Sequence, residues 1–331
     1  MEYAEFTNEQ RRQLIDTQHA FAAWHPARID LEKLGTMRVQ SSKGKRYVYA
    51  AWGTVRKSLG RETPELKRQK AAHDVRRKNL QERLKSLKAR LDVLAPVNRA
   101  MRLGRVPDIA SRIIRVLDQE GLLGTHVIVA GTNALFAYET AAGLAIGQQH
   151  VATTDTDLVW DTNQSLLLAA TGIRREGLMG ILRRVDKSFV ADYGYNATNK
   201  DGYIVDLLCP EGAHATTMKA GADLEAVAME GINWLLAAPQ FEQVVLGDDG
   251  WPLRLVVPEP RTFALHKLWV SRRVDRTPLK RPRDVGHAHV VSEIATTYLN
   301  LQFVAKEMPW LPQQLKILLA ELRAQSTRPR R

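Results

Sequence analysis

The stretch Thr153–Trp160 reads TTDTDLVW and sets two aspartates one residue apart at the mouth of an apolar run. On an extended strand the side chains at i and i+2 leave the same face, so Asp155 and Asp157 stand side by side with their charges unrelieved. An arrangement that unfavourable implies a partner, and a metal cation is the simplest one.

Alone, the pair is ambiguous. Strand ends and turns carry such pairs, and glycosyltransferases use Asp-x-Asp to hold a metal with a nucleotide sugar. Two flanking stretches narrow the choice. Upstream, HVIVA (126–130) reads as a buried strand broken by Gly131, with Thr132 opening a helix that ends at Gly143. A helix start offers free N–H groups and the positive end of its dipole to phosphate oxygens, and glycine allows close approach. Downstream, YIVDLLCP places Asp206 inside an apolar strand, where a carboxylate is costly without a cation. Three such carboxylates supply the hard oxygen ligands that Mg²⁺ prefers while leaving positions for phosphates and water.

In this order AGTNALFAYE, TTDTDLVWD and GYIVDLLCP resemble the nucleotidyltransferase superfamily of the DNA polymerase β type. The resemblance extends to bacterial nucleotidyltransferase-fold proteins of unassigned substrate, through SKGKRYVYAAWGTVRKSLG and APVNRAMRLGRVP. PRTFALHKLWVSRR and KRPRDVGHAHVV are similar to the Lys-bearing helix and Arg-Asp helix start of minimal and toxin-type members. It implies a mixed α/β (α+β) fold: a polymerase-β-like core flanked by a basic amino-terminal helical region with a small hairpin and by carboxy-terminal helices. It also implies Asp155 and Asp157 as ligands of two Mg²⁺ or Mn²⁺ ions bound with an NTP, such as ATP. Asp206 would serve the catalytic metal, Gly131 and Thr132 the triphosphate, and Lys267, with Arg273 nearby, the nucleotide phosphates. The family start is often Gly-Gly or Gly-Ser, and Thr132 keeps the hydroxyl. The spacing departs from the shorter members: Gly131 and Asp155 lie twenty-four residues apart, with an insert, GLAIGQQH, expected to be flexible.

The chain has 331 residues, 44% of them hydrophobic, which is enough for one large core or two ordinary ones. No apolar run is long enough to span a membrane and the amino terminus lacks the pattern of a signal peptide, so a cytoplasmic protein with no membrane partner is expected. The lone Cys209 excludes an internal disulfide and a thiolate zinc cluster, and reads as core. His266, His287 and His289 do not have the spacing of a known metal site.

The net charge of +12 is unevenly distributed. Arg38–Arg105 holds twenty Lys or Arg against five Asp or Glu, a surplus of fifteen, so the rest of the chain is acidic by three. Such a field favours polyanions, although charged helices also carry this composition without a ligand. Within it Lys45, Arg46, Tyr47, Tyr49, Arg56 and Lys57 interleave cations with aromatics, which suits RNA or a tRNA end and equally suits a small hairpin core.

Along the chain, residues 9–35 read as two short helices broken near Pro26, 41–60 as a short strand pair, and Pro64 to about Leu94 as a long basic helix with a leucine stripe. Leu94–Pro107 reads as a linker. Hairpins are expected at Phe189–Tyr195 with Tyr203–Leu208, around the turn NATNKDG, and at Phe241–Leu246 with Leu253–Val257. Helices follow at Arg261–Arg273, Asp284–Leu299 and Pro312–Arg323. The resulting division is 1–106, a basic and mostly helical region with a short hairpin, expected to bind nucleic acid or the acceptor; 107–258, the catalytic core; and 259–331, helices that add to the nucleotide site. The leading expectation is NMP transfer from an NTP to a hydroxyl by two metals, with RNA such as tRNA favoured over a protein or small molecule. Alternatives are a catalytically inactive nucleic-acid-binding or regulatory module and a metal-dependent nuclease. An antitoxin or a second copy of the chain stands as a further possible partner.

Overall fold

Along Asp155–Trp160 burial alternates at first and then becomes continuous, the pattern of a strand with one end open to a cleft and the rest covered on both faces. The computed structural model describes residues 3–53, 55–161, 173–192, 196–212 and 224–326, and it places this strand inside a mixed sheet. In spatial order the strands are Val127–Val129, Asp155–Trp160, Ile204–Pro210, Asn196–Thr198 and Val190–Asp192, with Val227–Met229 beside the end of Ile204–Pro210. Asp155–Trp160 runs antiparallel to Val127–Val129 and parallel to Ile204–Pro210. The fold is the expected mixed α/β.

By contacts the chain divides into two units. The unit with the sheet comprises Met1–Arg11, Gly104–Asp248 and Leu253–Arg331. Its core is continuous from the helix Asp108–Gln119, whose Ile113, Ile114 and Leu117 are fully buried, to the packed helices Pro260–Ser271 and Arg281–Thr297. Cys209 is buried in this core, as expected. The strands Gln240–Leu246 and Pro252–Pro258 pair as the second expected hairpin.

The first expected hairpin is shifted. Asn196–Thr198, assigned above to a turn, is itself a strand against Ile204–Pro210. The turn contracts because the Asn199 side chain organises it, its Oδ1 accepting from the backbone N–H of Asp201 (3.0 Å) and Tyr203 (2.8 Å). Residues 193–195 of the expected partner strand lie outside the described residues.

The GLAIGQQH insert is structured. Leu144–Ile146 pairs antiparallel with Tyr3–Glu5, and a short helix, Gln148–Val151, follows. Fully buried Glu139 fixes this corner, accepting from Arg105 (3.0 and 3.2 Å) and from the Ile146 N–H (2.7 Å). Glu139→Ala strands the Arg105 guanidinium and is expected to cost about 3 kcal/mol in chemical denaturation. An unchanged midpoint would mean that water replaces the carboxylate freely.

The second unit, Arg12–Leu103 with Asp249–Pro252, is the basic one. Its helices ignore two prolines. Asn8–Leu34 continues through Pro26, and Pro64–Ala100 continues through Pro96, where a linker was expected. The carbonyls that each proline deprives of a donor belong to Ala22 and Asp92, both exposed residues, where a lost backbone bond costs less than it would in the core. Beyond Pro96 the long helix is held by buried Asn98, which donates to the Gly250 carbonyl (2.8 Å) and accepts from Gln13 (2.8 Å). Its leucine stripe is fully buried only at Leu91, while Leu80, Leu84, Leu87 and Leu94 are half-buried. The expected strand pair is a three-stranded antiparallel sheet, Thr36–Ser42, Lys45–Trp52 and Val55–Arg61.

Candidate active site

The strand alternation sends Asp155 and Asp157 to one face and buries Thr156 and Leu158 on the other. On the parallel neighbour Asp206 lies in register with Asp157, so these two carboxylates leave the sheet side by side. Behind them a polar cluster fixes the strand. Asn133 Nδ2 donates to the Asp155 carbonyl (2.8 Å) and to Thr156 Oγ1 (3.2 Å), and the Tyr203 hydroxyl bonds Thr156 Oγ1 (2.6 Å) and the Asp155 carbonyl (3.2 Å). Burial pushes the Tyr203 phenol up to about 12, so it stays a donor at any ordinary pH. Thr153 Oγ1 donates to the Asp155 carboxylate.

Gly131 begins a 3₁₀ turn, Gly131–Ala134, that leads into the helix Leu135–Ala142, where a simple helix start was expected. At φ +58 it packs so closely that a Cβ built on it falls 1.7 Å from Asp157 Oδ2. The Thr132 hydroxyl accepts from Arg283 Nη2 (2.7 Å), and the same nitrogen also donates to the Ala152 carbonyl (2.8 Å). Lys267 Nζ bonds Asp284 Oδ1 (3.2 Å), and Arg276 Nε bonds its Oδ2 (2.6 Å). Burial alone would raise the Asp284 carboxyl, but these two cations outweigh it and hold it low. Asp284, almost fully buried, thereby positions both cations.

These residues line one cavity of about 230 Å³. Asp155, Asp157 and Asp206 face Lys267, Arg276, Lys280 and Arg283, while Leu208, Ile232, Leu235, Phe263 and Val270 make an apolar wall. Burial, then the neighbouring Asp155 and Asp206, push the Asp157 carboxyl up to about 6 against the pull of Lys267 and Lys280. Burial and Asp155 raise Asp206 as well. His266 and His287 also line the cavity, and burial drives both down to about 3, so they stand as neutral imidazoles.

Arg273 does not join this set. Its guanidinium is held by Asp275 (2.9 and 2.8 Å) and by Glu230, and it stacks over Trp269. Arg276, three residues later, occupies the cavity instead. The basic run Arg272–Arg283 signalled that cations were needed there, but only the turn after Ser271 selects which of them face inward. Asn133 and Tyr203 carried no local sequence signal.

The donor set fits a hard divalent cation. Burial and neighbouring carboxylates raise both Asp157 and Asp206, a charge that a cation would relieve, and the turn beside Asp157 is free of a Cβ. Among the described residues no group of three His, Cys, Asp or Glu side chains stands close enough together to hold a metal ion by itself.

The six residues expected to hold an acceptor lie on the three-stranded sheet of the basic unit. Lys45, Tyr47, Tyr49 and Arg56 share its outer face by register, while Arg46 and Lys57 belong to the opposite register. Arg46 is spent on Glu62 (3.1 Å).

A nucleotidyltransferase family model matches residues 108–309, about three-fifths of the chain. No curated protein and no solved structure gives a significant match. The matched span contains every residue that lines the carboxylate cavity, and the chain belongs to this nucleotidyltransferase family.

Proposed function

We propose that the protein transfers a nucleoside monophosphate from an NTP to a hydroxyl acceptor, an RNA 3′ end such as that of tRNA, with release of pyrophosphate. The observation that carries this reading is the pairing of Asp157 with Asp206 across parallel strands, beside the Cβ-free turn at Gly131 and opposite four cations.

Asp155, Asp157 and Asp206 would hold divalent Mg²⁺ or Mn²⁺, two ions with bound NTP. When bound, such ions neutralise phosphate charge and ease deprotonation of the acceptor hydroxyl. The chain contributes position and electrostatics. Gly131 and Thr132 seat the triphosphate, and Arg283, now on the Thr132 hydroxyl, is placed to follow it. An Asp206 carboxylate oxygen takes the acceptor proton; its raised affinity for a proton suits a base better than that of an ordinary carboxylate. The acceptor oxygen bonds to the α-phosphorus as the bond from that phosphorus to the pyrophosphate oxygen breaks. Lys267, Arg276 and Lys280 meet the charge that leaves. The cavity is smaller than the roughly 300 Å³ at which ligand pockets usually begin, so the nucleotide extends through its mouth, where the acceptor meets it.

The test is incubation with each labelled NTP, Mg²⁺ or Mn²⁺, and total tRNA or whole-cell lysate. Label is expected in a nucleic-acid band with the wild type and in none with Asp157→Ala. Folded wild-type protein that labels no fraction overturns the proposal.

A further inference from the structure

The outer face of the three-stranded sheet has no part in the carboxylate cavity, and its composition is one-sided. Between Thr36 and Arg61 the chain carries seven Lys or Arg and no Asp or Glu. The register divides the strands cleanly. Val39 pairs with Val48 and Met37 with Ala50 on the covered face, where Val48 and Ala50 are buried. On the open face Arg38 and Ser58 flank Tyr49, Gln40 and Arg61 flank Tyr47, and Lys45 pairs with Ser42. Both tyrosine rings are half-exposed and stand roughly 7 Å apart along one strand. The Arg56 guanidinium lies 3.7 Å over the Tyr49 ring, and Gln40 accepts from it. Beside this stack is a groove of about 600 Å³ whose lining includes Arg38, Gln40, Tyr49, Arg56 and Arg77 and one carboxylate, Glu32, which Arg28 engages at 2.8 Å.

From this arrangement we infer that the outer face binds single-stranded RNA, with Tyr47 and the Tyr49–Arg56 stack as successive base platforms. Unpaired bases stack on aromatic rings and equally on guanidinium planes, so Arg56 extends the Tyr49 surface and does not block it. Arg38, Lys45 and Arg61 flank the rings at the positions a backbone must follow, and no carboxylate on these strands opposes it. Gln40, Ser42 and Ser58 offer uncharged donors and acceptors to ribose 2′-hydroxyls, the groups that separate RNA from DNA. A duplex conceals its base faces and is excluded. A lipid surface would call for exposed Leu, Phe or Trp in place of these hydrogen-bonding side chains. This inference deepens the acceptor reading above and rests on it for the purpose of the face, though not for its binding.

The experiment is fluorescence anisotropy of a labelled 12-mer single-stranded RNA with the full chain, without NTP, across a salt series. The variant Tyr47→Leu/Tyr49→Leu is expected to bind at least about tenfold more weakly, while Tyr47→Phe/Tyr49→Phe binds within about twofold of wild type. Replacing Arg38, Lys45 and Arg61 by Gln is expected to weaken every sequence alike and to reduce the salt slope by about 2. Asp157→Ala is expected to bind RNA as the wild type does, so RNA binding without transfer leaves the platform standing while the transferase reading falls. Transfer to an acceptor without measurable RNA binding overturns the platform alone. It is also overturned by an unweakened Tyr→Leu pair, by equal affinity for DNA of the same sequence, or by binding to anionic vesicles in place of RNA.

Discussion

Asp157→Asn is expected to reduce nucleotide transfer by about 10³-fold or more, on the order of 4 kcal/mol of transition-state stabilisation, while making the ligand-free protein more stable at neutral pH. The two effects have one cause. Burial and the adjacent carboxylates of Asp155 and Asp206 push the Asp157 carboxyl up to about 6, from an ordinary value of 3.8. Below pH 4 both folded and unfolded chains hold that proton and there is no penalty. Between pH 4 and 6 the unfolded chain releases it while the folded chain retains it, so stability falls as pH rises, and above pH 6 the full penalty is present. Because Asp157 keeps part of its surface open to the cavity, the penalty is about 1–2 kcal/mol, less than the full shift implies. His266 and His287, held neutral by burial, act in the opposite direction and destabilise the fold as pH falls below 6.5. The informative quantity is therefore the difference in melting temperature between wild type and variant. It is expected to be near zero at pH 4 and to favour the variant by a few degrees at pH 7.5. Magnesium with NTP is expected to stabilise the wild type and to do little for the variant. A variant that keeps transfer, or one no more stable than wild type at neutral pH, would refute the assignment.

What was legible in the sequence was whatever a local pattern forces. Asp155 and Asp157 share a face because a strand has period two, and Asp206 advertises itself as a charge inside an apolar run. The mixed α/β core was implied by the resemblance that these motifs carry. The rest depended on distant chain. GLAIGQQH reads as a loose insert until Tyr3–Glu5 supplies a strand for Leu144–Ile146 and Arg105 a partner for Glu139. Pro26 and Pro96 read as breaks because the local rule counts a lost hydrogen bond, yet the residues that lose it, Ala22 and Asp92, are exposed, where the loss is cheapest. Among the cations, Arg273 and Arg276 are alike in sequence, but Asp275 and Glu230 hold one outside and Asp284 holds the other in. Which basic side chain faces a cavity is set by the turn that carries it, and no periodicity encodes that.

Gly131→Ala is expected to remove transfer almost as completely as loss of Asp157, although no atom of the reaction belongs to a side chain at 131. The added Cβ falls 1.7 Å from Asp157 Oδ2 and 2.8 Å from its Cγ, separations that no contact survives. Something must yield, and the backbone is poorly placed to do so. The Ala130 N–H donates to the Asp157 carbonyl (2.9 Å), and Asn133 ties the same turn to Asp155. The Asp157 carboxylate is the free end, so it rotates away from Asp206, and the shared ligand face is lost. A left-handed φ of +58 adds about 1 kcal/mol of strain for any residue with a Cβ. Gly121 separates the two contributions. Its φ is +71 and nothing lies within 4 Å of its Cβ position, so Gly121→Ala carries the strain without the collision. Gly121→Ala is expected to lose about 1 kcal/mol of stability and none of its transfer activity. Gly131→Ala is expected to lose about 1–3 kcal/mol and, at a temperature where it remains folded, about 10³-fold in kcat/KM. If Gly131→Ala kept transfer within threefold of wild type, the glycine would be serving the turn and not the carboxylate, and the close approach of Gly131 to Asp157 would be incidental to the chemistry.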